Sequence, residues 1–157
     1  MKGNKEVLDA LNNLLMGELT SVNQYFIHSE MLKDWGLNKV FERFKHEMEE
    51  EQMHARKIIE RILFLEGKPN MNKLEKVVLG KDIKEIYQHN LDYEMTIRKR
   101  LQSTIALAEK KKDYVTRDLL SSQLLFDTEE DHVYWLEIQL GLIKRIGIEN
   151  YLQSQMG

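Results

Sequence analysis

The chain has 157 residues, 42% of them hydrophobic and 31% charged, with a formal net charge of −3 and no cysteine. That length and balance fit one globular domain spanning 1–157 with a sizeable core. They exclude disulfides and thiolate metal sites, and no basic field marks the chain as a nucleic-acid binder.

The opening stretch "MKGNKEVLDALNNLL" holds no apolar run long enough for a signal peptide or a membrane span, so the expectation is a soluble, cytoplasmic protein. Four segments then carry apolar residues at steps of three and four, the pattern of a helix with one buried stripe. The first stripe reads Leu8, Leu11, Leu15, Glu18, Val22 and Tyr25, ending near Asp34, Trp35 and Gly36. The second reads Val40, Phe44, Glu47, Glu51, His54, Ile58, Ile62 and Leu65, with Gly67 and Pro69 as its stop. The third reads Ile83, Tyr87, Asn90, Glu94, Ile97, Leu101, Thr104 and Ala108, followed by the polar turn "EKKKD". The fourth is predicted to run through Leu119, Ser122, Phe126, Glu129, His132 or Val133, Leu136, Leu140 and Ile143. Gly147 should end it, leaving "IENYLQSQ" for a short fifth helix.

Loop lengths set the topology. Short turns join the first helix to the second and the third to the fourth, which makes each pair antiparallel. The connection between the second and third helices is about 16 residues, enough to span ~50 Å when extended. A helix of about 28 residues is only ~42 Å long. The fold class is therefore all-α: a four-helix bundle with one long crossover and a short C-terminal fifth helix.

Each stripe carries an acid near its middle where a leucine would be expected: Glu18, Glu51, Glu94 and Glu129. Two carry a histidine three residues on, as Glu51-x-x-His54 and Glu129-x-x-His132. Residues three apart on an α-helix share a face, so each pair can grip one ion. A lone Glu-x-x-His is usually a surface pair, and a lone core glutamate can be protonated. Four such acids are another matter, because each unpaired buried charge costs several kcal/mol against a total stability of about 5–15 kcal/mol. Two divalent cations would balance four carboxylates, and mixed carboxylate and imidazole donors suit iron, manganese or zinc. One Glu from each of two helices plus Glu-x-x-His from each of the other two is the known donor set of di-iron carboxylate bundles.

In "HEMEEEQMHAR", Glu51 and His54 are predicted to point inward, Glu49 outward, and Glu47 lies at the stripe edge. His46 and Glu50, four apart, form either a solvated pair or a secondary metal site.

The sequence resembles the bacterioferritins over nearly its whole length. The resemblance rests on "MKG", "NQYF" at 23–26, "DWGL" at 34–37, "ERILFLEG" at 60–67, "DYVTRDLL" at 113–120, "WLE" at 135–137 and "ENYLQSQ" at 149–155. It implies a ferritin-like fold and a hollow cage of 24 subunits that oxidises Fe(II) with O2 or H2O2 and stores ferric mineral. It also implies that Glu18 with His54 and Glu94 with His132 each hold one iron of a dinuclear centre. Glu51 and Glu129 would bridge the two irons, and Tyr25 would stand just behind them. The same resemblance places a haem b between two subunits, held by a methionine from each. Here the matching position is Gln52, and neighbouring Met53 is turned about 100° away on a helix. Met31, on the same interface, is retained. A homomer of this chain is thus not expected to ligate haem, although co-assembly with a haem-binding subunit would supply it. Asp118 to Glu129 is also about two residues longer than the resemblance implies. Competing expectations are a related di-metal oxidase or peroxidase without storage, and a shell subunit. No nucleic-acid or membrane partner is expected.

Overall fold

A computed structural model describes residues 1–70 and 73–157; Met71 and Asn72, within the predicted crossover, lie outside the described residues. Among the described residues there is no strand. The helices are α1 (Lys5–Asp34), α2 (Asn38–Phe64), α3 (Ile83–Lys110), α4 (Tyr114–Leu119), α5 (Tyr134–Ile146) and α6 (Ile148–Ser154). Two π-helical segments, Leu120–Leu125 and Thr128–Val133, lie between α4 and α5. The stretch 114–146 keeps right-handed helical backbone at the junctions of these pieces and forms one rod. Among the described residues no helix is long and apolar enough to cross a membrane.

Local chemistry places the helix ends. Asn4 Oδ1 accepts from the backbone N–H of Glu6 and Val7, and Asp82 Oδ1 accepts from Glu85 N–H. Glu85 reaches back to Lys81 N–H, satisfying a second donor at the same end. Three helices close with a left-handed residue, Gly36, Glu66 or Lys112. In each case the following N–H bonds a carbonyl five residues earlier, which consumes carbonyls the helix leaves free.

Cross-helix contacts fix the directions. Gly3 N–H bonds Leu65 O, so the start of α1 meets the end of α2. Tyr25 reaches Glu94 and His28 reaches Asn90, which sets α1 against α3 in opposite senses. Arg61 pairs with Asp113, and Arg43 with Asp131, which makes the fourth rod antiparallel to α2. It follows that α2 and α3 run parallel. The described parts of the crossover are strapped along α1. Asn12 holds Lys68 O, Thr20 Oγ1 accepts from Glu75 N–H, and His28 Nε2 accepts from Gly80 N–H. Arg100 clamps the Glu75 carboxylate at the middle strap.

The core has two apolar ends. One gathers Leu11, Leu15, Ile58, Ile62, Leu101 and Leu124. The other gathers Leu32, Val40, Phe44, Ile86, Tyr87 and Tyr151. Tyr151 brings α6 home, because its buried hydroxyl meets Tyr87 OH at 2.7 Å and donates to Gln139 at 2.6 Å. Between the two ends lies a layer of buried acids and histidines.

The fourth rod corrects one expectation. Ser122 is exposed and Phe126 is 59% exposed, while the buried residues, besides Val133 and Ile143, are Thr116, Leu120, Leu124, Thr128, His132 and Leu136. They recur every fourth residue. In a regular α-helix a fourth-residue row drifts about 40° per step and ends up ~200° around after five steps. A π turn closes its hydrogen bond one residue later than an α turn, so each π turn takes in an extra residue and winds the row back. Two π segments, Leu120–Leu125 and Thr128–Val133, thus keep the row facing the core.

Candidate metal centre

The buried polar layer is built from three regular α-helices and the π-containing fourth rod. Glu18 comes from α1, Glu47, Glu51 and His54 from α2, Glu94 from α3 and His132 from the second π segment. All six are 0–1% exposed.

Two trios share one carboxylate. Glu18, Glu51 and His54 present one donor atom each, as do Glu51, Glu94 and His132, and within each trio these atoms lie within 4.8 Å of one another. His54 Nδ1 is 3.7 Å from Glu18 Oε2 and 3.6 Å from Glu51 Oε2. His132 Nδ1 is 2.8 Å from Glu51 Oε1 and 3.1 Å from Glu94 Oε1. The two imidazoles stack with centroids 5.8 Å apart, so both aim Nδ1 at Glu51. Tyr25 OH donates to Glu94 Oε1 at 2.9 Å.

The outer ring nitrogens meet a second set of acids. His54 Nε2 lies 2.9 Å from Asp127 Oδ2. His132 Nε2 lies 2.5 Å from Glu47 and 3.0 Å from Glu50. Arg43 braces this ring through Glu47 at 2.6 Å and Asp131 at 2.7 Å. The stripe-edge residue Glu47 thus points inward. His46 pairs with Glu50 at 3.0 Å on the exposed side, and the other Glu50 oxygen reaches buried His132.

Electrostatics follow from burial. Burial, and then the adjacent Glu51 charge, push the Glu18 carboxyl up to about 8. Burial and Glu94 act upward on Glu51 as well, but its close contacts with Glu18 and His132 hold it below the usual carboxylate range, so the Glu18–Glu51 pair keeps one proton. Burial opposes charge on both histidines, yet the carboxylates around them raise both well above 6.5. Protons on the imidazoles therefore carry the balancing charge in the metal-free protein. The balance leaves gaps: neither Glu18 oxygen, nor Glu94 Oε2, nor His54 Nδ1 makes a well-formed hydrogen bond. Buried polar atoms without partners are costly, and here they belong to trios whose donor atoms lie within 4.8 Å of one another. Oxygen and imidazole donors so arranged suit first-row divalent metals.

Five of the six predicted ligands are brought together, and Glu129 is not. Its carboxylate is 37% exposed and accepts from Arg98 Nε at 2.6 Å. A spacing of three shares a face only where the turn is α, and 128–133 is π. The inward position before His132 belongs instead to Thr128, whose hydroxyl donates to Leu124 O. Sequence reading also missed Asp127. It sits five residues before His132, a spacing that points to nothing on an α-helix, and the run of buried residues in steps of four was the available signal. Gln52 and Met53 both lie on the outer face of α2, with Met53 47% exposed.

The pattern of the ferritin-like domain matches residues 8–146. A protein named bacterial ferritin from Synechocystis is 52% identical, over 99% of both chains. One of the same name from Pseudomonas aeruginosa is 53% identical, over 99% of this chain and all of its own. A bacterioferritin from Brucella melitensis is 39% identical, over 98% of this chain and 94% of its own. With a helical bundle, a crossover strapped along α1 and a carboxylate–histidine layer at mid-height, the chain belongs to the ferritin-like family, among the bacterial ferritins and bacterioferritins.

Proposed function

We propose that this chain is an iron-storage ferroxidase that oxidises Fe(II) inside the subunit and passes ferric iron to a mineral held in a hollow cage of 24 copies. The observation that carries this reading is the pair of buried trios that share Glu51, with carboxylate oxygens that lack hydrogen-bond partners. Fe(II) is the substrate. Glu18 and His54 Nδ1 are available to one ion, Glu94 and His132 Nδ1 to the other, and Glu51 faces both.

Two ions are needed for electron balance. Two Fe(II) give up one electron each. O2 takes both with two protons and leaves as hydrogen peroxide, or hydrogen peroxide takes both with two protons and leaves as two waters. Neither route releases a one-electron radical. Four carboxylates would draw the ions in and favour the harder ferric product. Tyr25, bonded to Glu94, holds that carboxylate in place. Glu129 could complete the set as the bridging ligand the resemblance implies, once released from Arg98. That pair is worth ~1 kcal/mol or less, so the move is governed by rewinding the π turn that gives the inward position to Thr128. His46 with Glu50 would form a weaker secondary site at the rim. Haem b is not ligated by a homomer, because Gln52 stands at the haem position; a co-assembling haem-binding subunit would be its source.

Aerobic Fe(II) addition followed by size exclusion, with ferric and haem absorbance recorded together, tests the reading. A large particle carrying ferric absorbance and no haem band is expected. Glu18→Ala and His54→Ala should each abolish rapid oxidation and leave the assembly intact. Wild-type oxidation rates in both variants would overturn the site assignment.

A further inference from the structure

The two histidines are held unequally. His132 Nε2 has two carboxylates within 3.0 Å, Glu47 and Glu50. His54 Nε2 has one within that distance, Asp127 at 2.9 Å. The Asp127 Oδ2–His54 Nε2 contact is short, and a carboxylate oxygen facing an imidazole nitrogen takes the acceptor role. The proton between them therefore sits on Nε2.

We propose that Asp127 is a positioning residue for the His54 half of the centre. It fixes the ring so that Nδ1 faces Glu18 and Glu51, and it keeps the remaining proton on Nε2 when Nδ1 binds metal. This rests on the dinuclear reading above. A neutral imidazole has one N–H, and only its other nitrogen can ligate. A carboxylate on the far nitrogen selects the ligating tautomer and orients the ring; losing such a partner typically weakens metal binding 10–100-fold. The π turn is part of the device. It lets Asp127 sit beside His54 while His132, five residues on, points into the same layer. The rod thus reaches both halves of the centre, one by supporting a ligand and one by supplying it. His132 does not depend on Asp127, so the two halves should respond differently to its loss.

The test is Co(II) titration of the metal-free assembled protein against a competing chelator, read by the visible absorption of bound Co(II). Wild type should bind two Co(II) per chain. Asp127→Ala should bind one with wild-type affinity and the other 10–100-fold more weakly. Asp127→Asn, which keeps an accepting oxygen and loses the charge, should fall between. Asp127 is 39% exposed, so truncation opens no core cavity, and size exclusion checks assembly. Unchanged affinity for both ions in Asp127→Ala, or equal weakening of both, would overturn the proposal. His54→Ala separates the two levels of argument: it should lose one Co(II). If His54→Ala still binds two as wild type does, the dinuclear reading fails, and the Asp127 role falls with it.

Discussion

His28 is buried in α1 and uses both ring nitrogens. Nδ1–H donates to Asn90 Oδ1 on α3 at 2.6 Å, and Nε2 accepts from Gly80 N–H, the last strap of the crossover, at 3.1 Å. That arrangement requires a neutral ring. Burial, aided by the nearby His89 charge and opposed by Asn90, lowers its pKa from 6.5 to about 4. Because the folded value is depressed, the folded chain resists a proton that the unfolded chain accepts below pH 6.5. Stability from this residue is thus fully present above pH 6.5 and declines as pH falls, levelling off near 4. At 1.36 kcal/mol per pH unit, the gap corresponds to about 3 kcal/mol. His28→Gln can keep both bonds, its carbonyl accepting from Gly80 and its amide donating to Asn90, but it cannot titrate. Urea unfolding of wild type and His28→Gln at equal protein concentration, from pH 7 to pH 4, should show wild type losing about 3 kcal/mol relative to the variant. The protection factor of the Gly80 amide, corrected for the intrinsic pH dependence of exchange, should fall over the same range in wild type only. Parallel stability curves and unchanged Gly80 protection would refute the reasoning.

Deleting Thr128 should remove the extra residue from the second π turn. Asp127 would then lie four residues before His132, and Glu129 three before it on α spacing, which turns Glu129 from Arg98 into the metal layer. A crystal structure of the deletion variant that retains the π turn and the Arg98–Glu129 pair would contradict this. Gln52→Met should raise haem uptake, read by visible absorbance after haem addition; no change would count against position 52 as the haem position.

The first three helices were legible because their residues keep α periodicity. Every residue of the second and third stripes is buried, including Glu51, His54 and Glu94. In the first stripe Leu8 is half-buried and the rest are inside. Acids at core positions stand out against a regular apolar row, so those parts of the centre could be read directly. The fourth rod defeated the same method, because its winding changes twice. Phe126 and Glu129 fall on an α stripe and end up facing out, while Thr128 faces in. His132 survived because it lies next to the regular helix α5, where the α and π readings converge again. The pairing behind the histidines was hidden for a different reason: Glu47 lay on its stripe and Glu50 beside His46, but their contacts with His132, like that of Asp127 with His54, cross between helices and leave no trace in a single stripe.

The central claim is that the space around Glu51 holds two metal ions. Crystals soaked in Fe(II) without oxygen, or in Co(II), and measured at the metal edge test it most directly. Two anomalous peaks per subunit are expected, one contacted by Glu18, Glu51 and His54 Nδ1, the other by Glu51, Glu94 and His132 Nδ1. Peaks confined to the rim around His46, Glu50 and Asp131, with none beside Glu51, would contradict it.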